Sequence, residues 1–272
     1  MMTVDRVWLV GEGVLKAFWL DVLGRRGIAV EDGTAAVDGR PARSRPRRGV
    51  ALRSPGAGEA RLLSAPAFII DVENVDLRAK RRRLRRLGAR LHPHGLLLTS
   101  AHAVSATEAA AWFGRPDAVV GYGAFPAYGT APAVDLAAPL GADPSGIARA
   151  EAWLASIGVR TFRVGDEVGL AFPRVLAMII NEAAFALMEG VATAEDIDRA
   201  MRLGTNYPEG PLAWADRIGL DEVQAVLRGL YRAFGEDRYR PAPIFRQLIA
   251  AGRLGRKAGH GFYAHTDEAK ER

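Results

Sequence analysis

The order in which hydrophobic periodicities follow one another constrains this chain more than any other feature. Up to about residue 163, short apolar runs alternate with amphipathic segments; from about Pro173 onward, every strong periodic segment repeats at helical spacing. The apolar runs at 7–10, 28–30, 67–72, 96–98, 118–120, 134–136 and 161–163 read as strands, and 14–23, 76–87, 105–113 and 145–157 read as helices between them. Strand and helix in repetition build a mostly parallel sheet covered on both faces. The fold class expected is therefore an α/β domain over residues 1–167 followed by an all-α domain over 168–272. At 272 residues and 49% hydrophobic content the chain can fill two cores of ordinary size.

Helix punctuation supports this division. Ser105 with Glu108 forms a capping box, Pro173 suits a first helical turn, and the helix at 174–189 stops at Gly190. Thr193, followed by Glu195 and Asp196, opens the next helix, which ends near Gly204; helices around 221–234 and 244–251 follow. Residues 32–66 hold no convincing helix, because Gly33, Gly39, Pro41, Pro46, Gly49, Pro55, Gly56 and Gly58 interrupt them too often. Short strands or loops are expected there.

The first strand runs into Gly11-Glu12-Gly13 and a helix, and the second ends in Glu31-Asp32. This unit resembles the opening βαβ of a dinucleotide-binding Rossmann domain, in which glycines let the backbone approach a pyrophosphate and an acid accepts from a ribose hydroxyl. The resemblance implies Gly11, Gly13, Lys16 and Glu31 as cofactor contacts and NAD as the cofactor, because the Glu31 carboxylate would repel a 2′-phosphate. Lys16 stands where a third small residue is usual, and either swings out to a phosphate or marks a degenerate turn. On the sequence, a cofactor site and a plain strand-to-helix turn both remain open.

Charge narrows the partners. Lys and Arg exceed Asp and Glu by 37 to 31, a mild excess that suits polyanionic ligands without naming one. Arg40, Arg43, Arg45, Arg47 and Arg48 either receive phosphates or decorate a solvated loop, and Lys80-Arg81-Arg82-Arg83 with Arg85-Arg86 reads as a wet helical face. No aromatic platform or binding motif accompanies these runs, so nucleic acid is not an expected partner. The absence of cysteine excludes disulfides and thiolate chemistry. The longest apolar run, 168–186, carries Arg174 and Glu182, so neither a membrane span nor a signal peptide is expected and the protein reads as soluble and cytoplasmic.

Asn181-Glu182-Ala183, Glu189-Gly190-Val191-Ala192, Asp196-Ile197-Asp198, Gly204 through Asp216, Gly219-Leu220-Asp221, Tyr239-Arg240-Pro241 and Gly252-Arg253-Leu254-Gly255-Arg256-Lys257 with Gly259 and Gly261-Phe262-Tyr263 follow in order. This series resembles the C-terminal domain of the 3-hydroxyacyl-CoA dehydrogenase family across about residues 165–264. The resemblance implies NAD-linked oxidation of the 3-hydroxyl of an acyl-CoA or related small hydroxy acid, and a homodimer formed through the helical domain. The family's helical insertion after the second strand, which helps hold coenzyme A, is replaced here by the Pro/Gly/Arg-rich stretch.

Hydride leaves carbon only as the neighbouring oxygen loses its proton, so such chemistry wants a base of near-neutral pKa fixed by a carboxylate. In the family a histidine oriented by a glutamate does this, with a serine and an asparagine about the substrate oxygen. Leu98-Thr99-Ser100 matches the strand that carries the serine, which implies Ser100 as a substrate contact; a hydroxyl that merely ends a strand is the plain alternative. Gly121-Tyr122-Gly123-Ala124-Phe125-Pro126 places Gly123 at the histidine position, Asp135 falls where the glutamate belongs, and Pro173 replaces the asparagine. His102, just beyond Ser100, is the candidate replacement base, with a surface or capping role as its alternative; His260 and His265 are expected to be exposed beside the closing turn. Two outcomes follow: a dehydrogenase using Ser100 and His102, or a divergent, catalytically impaired homologue that binds a ligand or mediates assembly.

Overall fold

The computed structural model describes residues 6–38, 65–126 and 132–265. Strands β1 (Arg6–Val10), β2 (Ala29–Asp32), β3 (Phe68–Asp71), β4 (Leu96–Ser100), β5 (Val119–Gly123), β6 (Ala133–Ala137) and β7 (Arg160–Arg163) form one sheet in the order β2-β1-β3-β4-β5-β6-β7. Neighbours are parallel except β5 and β6, which run antiparallel. The sheet grows to one side of β1 and then, from β3, to the other. The turns after β1 and β3 therefore part around a crevice at the carboxyl edge, where open α/β sheets take their ligands.

Alternation along each strand sorts the side chains between two layers. Val7, Leu9, Ile70, Leu98, Val120 and Tyr122 pack under α1 (Val14–Gly24) and α5 (Pro144–Ser156), meeting Trp19 and Trp153. Trp8, Val10, Ile69, Leu97 and Val119 face the other way, against α3 (Leu77–Leu87) and α4 (Ala106–Phe113). The expected capping box is formed, with Ser105 Oγ accepting from the Glu108 N–H at 3.1 Å.

Two expectations are corrected on the α3 side of the sheet. Residues 33–38, expected to lack a helix, form α2 (Gly33–Asp38). Asp32, at the end of β2, caps it by accepting from the N–H groups of Thr34 (2.9 Å) and Ala35 (3.2 Å), which overrides the helix-weakening Gly33. The remainder of that stretch, with the cluster from Arg40 to Arg48, lies outside the described residues. The basic helix α3 is also not wet all round. Lys80 is fully buried, 2.6 Å from Asp71 Oδ2, and donates to the carbonyls of Glu73 (2.9 Å) and Ser100 (2.7 Å). Arg83 is buried between Glu73 and Asp38, each at 2.9 Å. Arg78, Arg81, Arg82, Arg85 and Arg86 stand on the exposed face.

Beyond the sheet the chain is helical: α6 (Phe172–Met188), α7 (Ala194–Thr205), α8 (Pro211–Ile218), α9 (Leu220–Phe234) and α10 (Pro243–Ala250). Helix α8 was not separable by periodicity, being a short segment whose cap is supplied from elsewhere. Asp198 on α7 accepts from the N–H groups of Leu212 (2.8 Å) and Ala213 (2.9 Å), doing for α8 what Gly210 cannot. Asp216 likewise accepts from the N–H groups of Phe262 (2.8 Å) and Tyr263 (2.9 Å), and Tyr263 returns its hydroxyl to Asp198 at 2.8 Å. Side chains at Gly210 or Gly261 would collide with these two carboxylates. His260 and His265 are half-buried rather than exposed, His265 Nε2 lying 2.8 Å from Asp216. Asn181 ties α6 to the turn before α10, donating to the Arg240 carbonyl (3.0 Å) and accepting from the Ala242 N–H (2.8 Å). Phe125, just past β5, sits in the helical core with Leu176, Ile180, Leu227 and Phe245. Among the described residues no helix is long and apolar enough to cross a membrane.

Candidate active site

The crevice floor is built from the turns that leave β1 and β3. Gly11 and Gly13 have φ of 105° and 125°, and a β-carbon on Gly11 would come within 2.8 Å of the Glu73 backbone nitrogen. Glycine at both places lets the two turns touch. No side chain caps α1, so its first backbone N–H groups make an anion seat. The approach to this seat is covered from the helical part of the molecule. A side chain on Gly13 would collide with Oε1 of Glu222, in the first turn of α9. Glu222 is fully buried; its Oε2 accepts from Asn74 Nδ2 at 3.2 Å, while Oε1 has no hydrogen-bond partner. Burial outweighs the Asn74 bond, the nearby Asp221 charge adds to it, and the carboxyl pKa is pushed up to about 7.

At the end of β2 the acids divide differently from the expectation. Glu31 lies on the Trp8 face, where its carboxylate accepts from Trp8 Nε1 (2.7 Å) and Arg6 Nη1 (3.1 Å). Asp32 points to the α1 side. Its Oδ1 caps α2, but its buried Oδ2 makes no hydrogen bond and lies 4.0 Å from Lys16 Nζ. Lys16 does not swing outward: its side chain is 7% exposed and its ammonium is 2.9 Å from Glu12. The orphaned oxygen at this edge therefore belongs to Asp32, the last residue of the strand. Alternation along β2 was the signal that separates it from Glu31.

Across the crevice, Asn74 joins the residues that follow β3 and β4. Ser100 is fully buried and donates its hydroxyl to Asn74 Oδ1 at 2.7 Å. His102 is fully buried too, so it takes neither a surface nor a capping place. Its Nε2 accepts from the Ala124 N–H at 3.2 Å, which puts the hydrogen of the neutral ring on Nδ1, 3.5 Å from the Asn74 amide nitrogen. Burial, reinforced by the Lys80 charge, holds its pKa down to about 3. Sequence reasoning passed over Asn74, although its place three residues beyond β3 puts it at the carboxyl edge.

The three substituted positions do converge. Gly123 pairs with Asp135 across β5 and β6, and a β-carbon on Gly123 would lie 3.1 Å from Pro173 Cγ and 3.2 Å from Leu170 Cδ1. The place is packed and apolar, with no room for an imidazole. Asp135 is engaged elsewhere: Oδ2 accepts from the N–H groups of Ala171 (3.0 Å) and Phe172 (2.7 Å), which caps α6. It holds the first helix of the helical part against the sheet.

An open groove of about 510 Å³ runs from Asn74 between the start of α3 and α9, lined by Asp76, Arg78, Asp221, Arg228 and Arg232. Its acids are occupied. Asp76 caps α3 through the Ala79 N–H at 2.9 Å, and Asp221 is paired with Lys257 at 2.5 Å. Arg78 and Arg228 are exposed and paired with no carboxylate among the described residues, so the groove presents positive charge. Among the described residues no cluster of His, Asp and Glu is placed to hold a metal ion.

Residues 164–265 match the family model of the 3-hydroxyacyl-CoA dehydrogenase C-terminal domain. A Bacillus subtilis protein named "Probable 3-hydroxybutyryl-CoA dehydrogenase" is 34% identical over 201 residues, covering 74% of this chain and 70% of that protein. The 3-hydroxybutyryl-CoA dehydrogenase of Bradyrhizobium diazoefficiens is 29% identical over 243 residues, 86% of this chain and 83% of its own. The solved (S)-3-hydroxybutyryl-CoA dehydrogenase of Ralstonia eutropha superposes with a TM-score of 0.74 at 26% identity, covering 97% of this chain and 100% of that one. With a Rossmann-like sheet, the expected helical C-terminal part and relatives aligned along most of its length, the chain belongs to the 3-hydroxyacyl-CoA dehydrogenase family.

Proposed function

We propose that this chain is a cytoplasmic oxidoreductase of the 3-hydroxyacyl-CoA dehydrogenase type that takes NAD along the carboxyl edge of β1 to β4 and an acyl-CoA, or a related small hydroxy acid, beside it. The observation that carries the cofactor reading is the buried, hydrogen-bond-free Oδ2 of Asp32 next to the uncapped start of α1. A ribose hydroxyl would satisfy that oxygen, and a phosphate suits the helix N-terminus beside Gly11 and Gly13 once the Glu222 carboxyl has left it. NAD, when bound, supplies the hydride acceptor. Lys16, anchored on Glu12, offsets the Asp32 charge rather than reaching a phosphate.

The chain's own residues supply positioning at the reacting end. Ser100 fixes the Asn74 amide, and His102, neutral at physiological pH, fixes the β5 backbone at Ala124. A ring with a pKa near 3 is a poor base at neutral pH, so His102 acts through the hydrogen bond it accepts from the Ala124 N–H. The arginines of the groove, Arg78 and Arg228, suit the phosphates of a coenzyme A ester. A second reading, a ligand-binding homologue of low activity, is favoured by one observation: the Gly123–Pro173 contact leaves no acid–base group at the family's catalytic position.

NADH titration together with oxidation assays on 3-hydroxyacyl-CoA esters of several chain lengths tests both. Binding with turnover is expected. Binding without turnover across the series selects the second reading, and absence of both rejects the dehydrogenase assignment.

A further inference from the structure

We propose that Glu222 is an affinity-setting residue of this chain's cofactor crevice: its carboxyl group lies against Gly13 and covers the start of α1, where a phosphate would sit, and a dinucleotide enters only when that group withdraws into water. The inference rests on the dinucleotide reading given above and adds a residue from the helical part to a crevice otherwise built by the sheet. Geometry carries it. The space beside Gly13 that glycine keeps open is taken by Glu222 Oε1, the carboxyl is fully buried, and that oxygen makes no hydrogen bond. The carboxyl thus blocks the approach to the uncapped start of α1 without its Oε1 accepting from the N–H groups there.

The carboxyl, protonated or not, and a phosphate cannot share the space beside Gly13, and the charged groups of the turns around it are already engaged. From the β3 turn, Asn74 is neutral and Glu73 is acidic and bound to Arg83. From the β4 turn, His102 is held neutral. Behind them Lys80 is paired with Asp71, α1 presents Lys16 bound to Glu12, and on α9 itself Asp221 is held by Lys257. These cations are therefore engaged by other carboxylates, while the unpaired Arg78 and Arg228 stand exposed along the open groove beyond Asn74, and the buried Glu222 carries a proton through most of the acidic range.

Withdrawal changes its proton affinity. In water the carboxyl returns to the ordinary range near 4.3, so opening the seat below neutrality releases a proton. Dinucleotide affinity should then rise with pH and level off above about 7, the pKa at which burial holds the carboxyl in the closed form. The limiting slope is about tenfold per pH unit, which is one proton released per cofactor bound.

Fluorescence titration of NADH between pH 5.5 and 8, on the full chain and on Glu222→Ala and Glu222→Gln, tests this. Glu222→Ala should bind at least about tenfold tighter than the unmodified protein at pH 6 and show no slope. Glu222→Gln, which fills the seat without a titrating proton, should bind weakly and equally at every pH. Equal affinity of the unmodified protein and Glu222→Ala would overturn the inference while leaving the dinucleotide reading intact, as would affinity that falls as pH rises. If no variant with a native circular dichroism spectrum binds NADH, the dinucleotide reading fails and this inference fails with it. Should Glu222→Ala not fold, the slope of the unmodified protein against a flat Glu222→Gln profile decides alone.

Discussion

Buried His102 and buried Glu222 lie on either side of Asn74, and their proton affinities are displaced in ways that act oppositely on stability. His102, with its pKa lowered from 6.5 to about 3, contributes stability that is present above pH 6.5 and lost as pH falls toward 3. Glu222, raised from 4.5 to about 7, contributes stability that is present below pH 4.5 and lost as pH rises toward 7. Each is worth a few kcal/mol at most, roughly 1.4 kcal/mol per pH unit. Between pH 4.5 and 6.5 the two slopes cancel, and below 4.5 the histidine acts alone. Urea unfolding of His102→Gln, whose amide oxygen can still accept from Ala124, should show a shallower loss of stability below pH 4.5 than the unmodified protein. Parallel curves would mean that the ring does not drive the acid limb. Some of this was legible in the sequence. Gly11, Gly13 and Ser100 announced the crevice through their places after strands, and Gly123 and Pro173 were visible as substitutions. The sequence reading puts Glu31 at the ribose, and the free oxygen belongs instead to Asp32, on the other face of the strand; the pKa displacements come from burial among residues distant in sequence.

At the scale of elements, α3 shows how a basic amphipathic helix can be misread. Its arginines repeat at helical spacing and suggest a solvated face, yet Lys80 and Arg83 turn toward the sheet because Asp71, Glu73 and Asp38 wait there. All three Lys80 N–H groups are used: for Asp71, for Glu73 O and for Ser100 O. Replacing Lys80 with Met would leave Asp71 buried without its cation, a change expected to cost about 3–5 kcal/mol. A chemical denaturation midpoint within experimental error of the unmodified protein would contradict this. Lys80→Met should also loosen the end of β4, because the Ser100 carbonyl loses its donor. Helices α2 and α8 escaped sequence reading for a related reason. Asp32 precedes Gly33 in a glycine-rich stretch, and the cap of α8 comes from Asp198, 14 residues before Leu212. Propensity describes a segment, whereas a cap donated from another helix is a property of the packing.

At the scale of the whole molecule, the sheet and the helical part meet through a few side chains of mixed character. Phe125 reaches into the helical core, Asp135 caps α6, and Glu222 reaches back to Gly13. The helical part also leaves Val175, Val191 and Leu203 strongly exposed, which suits the homodimer that the family resemblance implies through this part. Light scattering is expected to give twice the chain mass, and Leu203→Glu combined with Val175→Glu should shift it to one; a monomer at all concentrations for the unmodified protein would reject the dimer.

The sequence by itself determined the alternating sheet, the helical remainder and the family. Those depend on hydrophobic period, glycine turns and short motifs, which are written locally and read in order. Only the tertiary structure decided what the carboxylates do. Asp198 and Asp216 bind backbone N–H groups of α8 and of the closing turn, Asp135 serves a helix rather than a base, and Glu222 of the helical part lies against Gly13 of the sheet's first turn. A buried carboxylate takes its role from whichever donors surround it, and those donors are assembled by folding.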